Sequence, residues 1–464
     1  MKKLLQFVFM ISSFINQAQN INFPDINFKN KLLTSYGTSI DTNSDGEIQI
    51  TEADNVTFGL FLDGTSANPG NITNLTGIEY FINIPILSCN YNQLTSVNLS
   101  ANTHLTILRL YKNHIISLDL SSNVNLVNVN VSYNNITNLN LVSNNNLDEL
   151  DCSDNQLTAI NLSNNPVLTL LFCGNNLITN LNVSNNPLLV LIECNTNNIV
   201  NLDLSNNTSL LHLSADGNQF TSLDVSNNTS LIMIACGNAQ ISNLDISNNI
   251  NLTTLSCYNN HLTAINVSGA TALTSLYCGN NQITNLDVSN NINLNTLNCS
   301  GTLITTLDLS NNINLNVLHC DSNYNLTYIN LKNGNNNTLS TIYSDMGFLP
   351  SLAAVCLDNV TSPLASFILS EVMHPVTFTS TCILAVNNNS LTQLSVFPNP
   401  VNDILQINSE NSIKKIEVYS NLGQLILSNS NSNTIDLSKL SQGLYLIRIS
   451  DINGNFETKN IIKK

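Results

Sequence analysis

Leu168-Thr-Leu-Leu171-Phe-Cys173-Gly-Asn-Asn176-Leu-Ile178-Thr-Asn-Leu181-Asn-Val183-Ser-Asn-Asn186 is one turn of the pattern that decides the fold. An LxxLxCxxN segment is followed by LxxLxVSxN, two related halves of ten and eleven residues. The turn recurs with a period of 21, from starts at Ile84, Leu105, Leu126, Leu147, Leu168, Leu189, Leu210, Leu231, Leu252, Leu273, Leu294 and Leu315. Each half offers a short alternating segment with apolar residues inward, then an Asn where the chain turns. Neither half has room for a helix of ordinary length with its connections. The pattern therefore predicts a mainly β solenoid, with short parallel strands on both sides of every coil.

Asparagine forms two columns. One runs Asn92, Asn113, Asn134, Asn155, Asn176, Asn197, Asn218, Asn260, Asn281, Asn323, and the other Asn102, Asn123, Asn144, Asn165, Asn186, Asn207, Asn228, Asn249, Asn291, Asn312. A carboxamide donates and accepts at once, so it can satisfy turn backbone and the adjacent coils together. Ala239 and Thr302 interrupt the first column and Ala270 the second, and local looseness is expected there. Nine of the 11 cysteines share one coil position, which Leu110, Val131 and Ala215 occupy elsewhere. That interchange marks a small apolar slot, and stacked side chains pointing in parallel do not suit disulfide geometry. Cys356 and Cys382 lie outside the ladder, and in an oxidising compartment they are expected to close a loop over the last coil.

These coils resemble leucine-rich repeats, specifically the nested 21-residue kind of bacterial surface and secreted proteins. The resemblance spans roughly residues 56–357, with regular coils at 84–335, and implies a scaffold for binding. Before it, residues 19–55 are expected to form an N-terminal cap, with a helix from about Asp25 to Ser35 that puts Phe28, Leu32 and Leu33 on one face. The segment Asp41-Thr-Asn43-Ser-Asp45-Gly46-Glu47-Ile48-Gln49-Ile50-Thr51-Glu52 resembles the EF-hand calcium loop. On that pattern Asp41, Asn43 and Asp45 supply side-chain oxygens, Glu47 its carbonyl, Gln49 a water and Glu52 a bidentate carboxylate. A structural calcium ion is the expected cofactor. Residues 358–382 are expected to cap the other end.

Residues 383–390 read as a polar linker, and from Leu394 the chain changes to alternating strands with turns, a small β-sandwich. Val396-Phe397-Pro398-Asn399-Pro400, Leu440-Ser-Gln-Gly443-Leu-Tyr445 and the final Lys463-Lys464 resemble the type A sorting domain of the type IX (Por) secretion system. Residues 391–464 are assigned to it. The resemblance implies passage across an outer membrane, with the secretion machinery as a partner. At the other terminus Lys2 and Lys3, an apolar run from Leu4 to Ile15 and the small Ala18 predict a signal peptide over residues 1–18. That run is too short to span a bilayer, and no integral membrane segment is expected.

The net charge is −16, and between Leu32 and Ile413 the basic residues are Arg109, Lys112 and Lys332. Phosphate neutralisation needs more than this, which argues against nucleic acid as a partner. The scaffold positions barely change between coils, whereas the outward strand position does. Candidate ligand-face residues are Arg109, Tyr111 and Tyr133 near one end, Glu149, Asp151, Phe172 and Glu193 in the middle, and Tyr258, Tyr277 and His319 toward the other. A secreted or cell-surface, non-enzymatic binding protein is the function expected, with a protein or a glycan as ligand and adhesion as one outcome. The alternatives are a structural surface-layer component, or a protein that binds or hydrolyses carbohydrate. For hydrolysis, Asp151 and Glu193 are the pair of carboxylates to propose. They stand two coils apart, roughly 10 Å, on a face expected to leave them solvated.

Overall fold

Each coil contributes one three-residue strand whose middle residue is apolar and buried, such as Leu171 in Leu170–Phe172 and Ile192 in Leu191–Glu193. A three-residue strand cannot bury its apolar residue alone. It does so only by stacking on the next coil, through parallel pairs such as Leu171↔Ile192 and Ile192↔Leu213. The result in the computed structural model is a 13-stranded parallel sheet that begins at Leu60–Phe61 and ends at Val317–His319. Described are residues 19–335, 339, 345–372, 374–382, 394–409, 412–420, 425–430, 432–451 and 456–464. The expected signal peptide and linker lie outside these.

The second side of the coil differs from expectation. It carries a two-stranded pair, Leu118–Asp119 with Leu139–Asn140, and a four-stranded parallel sheet at the C-terminal end, Thr306–Asp308, Tyr328–Asn330, Ala354–Cys356 and Thr377–Thr379. Elsewhere on that side the coils are joined chiefly by one short main-chain bond per step, for example Leu177 N–H to Leu157 O at 2.9 Å and Asn198 N–H to Ile178 O at 2.9 Å. The following rung stretches to 3.4 Å between Thr179 N and Thr158 O. The chain there is spent on tight turns, in which an Asp or Asn accepts the N–H two residues on, as Asp203 does from Ser205.

Each side chain of the first asparagine column ties its own coil to the one before it. Asn176 Nδ2 donates to the carbonyls of Cys152, Cys173 and Gly174, while its Oδ1 accepts Leu157 N–H at 2.9 Å. The ladder cysteines thus contribute more than their side chains, since their carbonyls are the acceptors for asparagines of their own coil and the next. The nine thiols are free and buried. Burial pushes those of Cys194, Cys236 and Cys278 up to about 12, which keeps them protonated and inert. Cys356 and Cys382 are disulfide-bonded, as the sequence suggests.

The looseness expected at the column interruptions is not seen in the packing. Ala270 and Thr302 are buried, and Ala239 packs against the core. Beside Ala270, Gly269 lies so near the Ser247 carbonyl that a Cβ there would stand 2.6 Å from the oxygen, so the smaller residues let the coils close up. Thr302 Oγ1 replaces part of the lost carboxamide by donating to Cys299 O at 3.1 Å.

A single hydrophobic cluster runs from Ile21 to Val372. At its start, helix α1 (Ile26–Tyr36) buries Phe28 and Leu32. Asp25 caps it by accepting Asn27 N–H and Phe28 N–H, and its other oxygen accepts Thr73 N–H at 2.6 Å and Asn74 N–H at 3.1 Å. One carboxylate therefore both starts the helix and docks it on the first coil. Helix α2 (Ile50–Asp54) follows the acidic loop, and helix α3 (Pro363–Val372) adds Leu364, Ile368 and Val372 to the core at the other end.

The chain divides into two compact units, residues 1–380 and 381–464. The second holds two antiparallel sheets. Ser395–Phe397, Ile404–Asn408 and Thr434–Asp436 form one, and Leu425–Ser430, Ile413–Tyr419, Gly443–Asp451 and Phe456–Lys463 the other. Leu405, Ile416, Val418, Leu437 and Ile447 from these strands and their turns share one buried core, consistent with the expected sandwich.

Candidate functional site

Alternation fixes what the sheet offers to solvent. With the middle residue buried, the first and third residues of each strand face out. The third positions include Arg109, Asp151, Phe172, Glu193, Tyr277 and His319. The first positions, which the sequence reading largely passed over, include Glu149, Leu170, Leu191, His212 and Met233. With half-buried Val190, Leu211 and Ile232 just before these strands, an apolar patch covers consecutive coils around Phe172, Leu191 and Met233. The signal that reveals it is the same i, i+2 spacing that predicts the strands.

Acids border this patch. Asp151, Phe172 and Glu193 are successive partners across three strands. Asp151 accepts from Asn130 Nδ2 at 2.9 Å and Ser153 Oγ at 2.6 Å, and Glu149 accepts from Asn128 Nδ2. The expectation that nothing desolvates Glu193 is corrected: burial pushes its carboxyl up, and the Asp151 charge adds to this. Its neighbours on the face include Phe172 across the strand pair and Leu191 in its own strand. Asp216 is also raised by burial, partly offset by the bond it accepts from Gly237 N–H.

Nearer the N-terminus the structure brings Tyr111 and Tyr133 together with two residues outside the expected set or at its margin. Tyr91 and Tyr111 meet edge-on with centroids 5.0 Å apart, and Lys112 Nζ lies 4.3 Å from the Tyr133 centroid and 5.8 Å from that of Tyr91. Tyr91, Lys112 and Tyr133 occupy a turn position with φ of 52°, 55° and 53°. Later coils fill the same position mainly with Asn175, Gly217, Asn238, Asn259, Asn280 and Gly301, the residue types that tolerate left-handed backbone. Bulky residues in such a slot carry a backbone cost that the later coils avoid. Tyr258 lies elsewhere, its ring over Gly237, where a Cβ would stand 2.6 Å from the ring, and its hydroxyl accepts from Asn238 Nδ2. Tyr277 and His319 stand farther along the sheet, so the ten expected residues form a long face and do not converge on one pocket.

In the N-terminal cap, the loop carries the turn that the calcium pattern requires. Gly46 has φ +80° with open space around it, and Ile48 is buried. Asp41 accepts the N–H groups of Asp45 and Gly46, Asn43 Oδ1 that of Asp45, and Asp45 that of Glu47. Glu52 accepts from Thr42 and Asn43 on one oxygen and from Gln49 on the other. Burial pushes the Glu52 carboxyl up, but these bonds outweigh it and hold it below the usual range. The Glu47 side chain pairs with Lys29 Nζ at 2.6 Å, leaving its carbonyl as the group that fits the pattern. Among the described residues no three His, Cys, Asp or Glu side chains gather as a metal-holding group. The loop backbone suits a cation, while its carboxylates are turned onto loop N–H groups.

Residues 250–291 match the family model for Leucine Rich repeats (2 copies). The solenoid is a leucine-rich-repeat fold. Residues 395–464 match the Secretion system C-terminal sorting domain, which places the chain's destination at the cell exterior or surface. Among solved structures, the functional domain of InlJ from Listeria monocytogenes, described as including a cysteine ladder, is 24% identical with a TM-score of 0.54, covering 97% of this chain and 100% of that one. The internalin InlF of the same organism is 23% identical with a TM-score of 0.58, over 73% of this chain and 98% of that one. A leucine-rich-repeat protein of Leptospira interrogans is 18% identical with a TM-score of 0.51, over 67% and 82%. No curated protein matches the chain. Among the described residues, no helix of this leucine-rich-repeat chain is long and apolar enough to cross a membrane.

Proposed function

We propose that this chain is a non-enzymatic binding protein, exported by a signal peptide and the type IX route, that holds a protein partner on the 13-stranded face. The observation that carries the reading is the contrast between inward and outward strand positions. Leu150, Leu171, Ile192, Leu213 and Ile234 are interchangeable core residues, whereas the outward side chains change coil by coil and gather an apolar patch rimmed by acids. Aromatic and aliphatic anchors inside a polar rim are what a protein interface uses. Glu149, Asp151 and Asp216 have hydrogen-bond partners of their own, which suits a rim. To test this, the chain is used to capture partners from extracellular extracts beside Phe172→Ala and Met233→Glu variants. Both are expected to lose the captured protein at unchanged melting temperature. Capture by both variants at the level of the unaltered chain sinks the reading.

Calcium belongs to the same proposal as a structural ion in the loop from Asp41 to Glu52, bound through Asp41, Asn43, Asp45, the Glu47 carbonyl and Glu52. Millimolar calcium is expected to raise the melting temperature of the cap relative to chelator, and Asp41→Ala to abolish the difference.

A further inference from the structure

At the end of the 13-stranded sheet the coil register breaks, and the break opens a cavity of about 690 Å³. Beyond Val317–His319 the described residues continue the pairing through a bridge from His319 to Asp345. The cavity is walled by Asp321 and Tyr324 on one side, Asp345 and Phe348 on another, and Glu371 and His374 at the C-terminal end of α3. His374 Nε2 lies 2.8 Å from the Leu349 carbonyl oxygen and ties the helix end to the rim.

Its chemistry is one-sided. Among the described residues, three carboxylates line it and no lysine or arginine does. The end of α3 adds the negative pole of a helix. Asp321 already accepts from the hydroxyls of Ser300 and Ser322, and Asp345 from Gly347 N–H, yet each ionised carboxylate has further acceptor capacity. The rings are as informative as the acids. Phe348 is 77% exposed and Tyr324 63%, although neither gains burial in the core by standing there. No three acidic or imidazole side chains among the described residues are close enough to hold a metal ion, so the charges are spread around a space. Spread carboxylates with aromatic faces beside them fit an organic cation carried on an aliphatic stem.

We propose that this cavity takes the lysine or arginine side chain of a partner protein. The ammonium or guanidinium group meets the carboxylates, and the stem lies against Phe348 and Tyr324. A volume within the range of ligand sites exceeds what a free amine fills and leaves room for the flanking backbone. The site is separate from the apolar patch of the strand face and does not depend on that reading.

The test is calorimetric titration of the full chain with blocked tripeptides whose central residue is lysine, arginine, norleucine or acetyl-lysine, and with cadaverine as the free amine. Lysine and arginine peptides are expected to bind about ten-fold more tightly than the two uncharged ones, and more weakly as salt rises. Phe348→Ala and Glu371→Gln are each expected to weaken the lysine peptide about five-fold or more at unchanged melting temperature, with Tyr324→Leu as a replacement if either fails to fold. Phe172→Ala should leave this binding as it is, which separates the site from the strand face. Equal binding of the norleucine peptide, or full binding by the substituted chains, overturns the proposal. Cadaverine binding as tightly as the lysine peptide overturns the assignment to a protein side chain in favour of a free amine.

Discussion

The two asparagine columns contain the same side chain at the same period, yet they do different work. In the first, each carboxamide is used at both ends: Asn155 Nδ2 reaches the carbonyls of Val131 and Cys152, and its Oδ1 accepts Ile136 N–H. In the second, only the donor end is engaged. Asn186 Nδ2 donates to Leu162 O and Asn165 O, while its buried Oδ1 has no partner among the described residues, as for Asn102 through Asn312. Those two carbonyls also accept main-chain N–H groups, from Asn165 and Leu168. The first column therefore completes the backbone bonding of the coil, and the second adds to bonds already made. A repeated residue is not by itself a repeated energy.

The largest expected effect is for Asn176→Ala, which strands the buried Leu157 N–H and removes the bonds to Cys152 and Cys173. A loss of about 3 kcal/mol in urea unfolding is expected. For Asn186→Ala the loss should be about 1 kcal/mol, because both carbonyls keep a bond and the unpartnered oxygen disappears. Equal losses for the two would break the comparison. Ala239→Asn sharpens it from the other direction: the series of bonds to the first column skips Phe220, and restoring the carboxamide should raise stability by up to about 1 kcal/mol, seen as a higher urea midpoint.

The smallest effect sets these neutral columns against the charged ties elsewhere. Burial pushes Asp25 up, but its bonds from Thr73, Asn27 and Asn74 win and hold it below the usual carboxylate range, as the bonds to Glu52 do there. A carboxyl lowered by folding contributes stability above its unfolded pKa and loses it as pH falls through the folded value. Glu193 and Asp216 are raised, so their ionised forms oppose folding and acid relieves them. Between pH 6 and pH 3.5, hydrogen-exchange protection, corrected for intrinsic rates, should fall in α1 and its docking segment at Thr73. It should hold or rise in the coils of Glu193 and Asp216. A uniform loss along the solenoid would count against this assignment of the charges.

The inward residues were legible one at a time. The period of 21, the apolar slots and the cysteine position each state a local burial that stacking only repeats, and Asp25 to Ser35 reads as a helix within a residue or so of its ends. The outward site was less so. Phe172, Glu193 and Tyr133 were identifiable as variable positions, but Leu191 and Met233 look like ordinary apolar residues until the pleat turns them outward. Strands on both sides of the coil followed from the likeness of the two half-repeats. The structure uses tight turns on much of the second side, where side chains such as Asp203 and Asp224 accept the N–H two residues on.

By itself the sequence determined the coil, its direction of stacking, the cap helix, the fate of all 11 cysteines and the sorting tail, since each depends on residues close in the chain or repeated at a constant interval. Only the tertiary structure decided which ends of each asparagine are used, that Lys112 lies over Tyr133, and that Tyr324, Phe348 and Glu371 surround one cavity. These depend on distances between coils, and on the place near Asp345 where the interval fails. A period predicts what stacks on what, but not what forms where the stacking is interrupted.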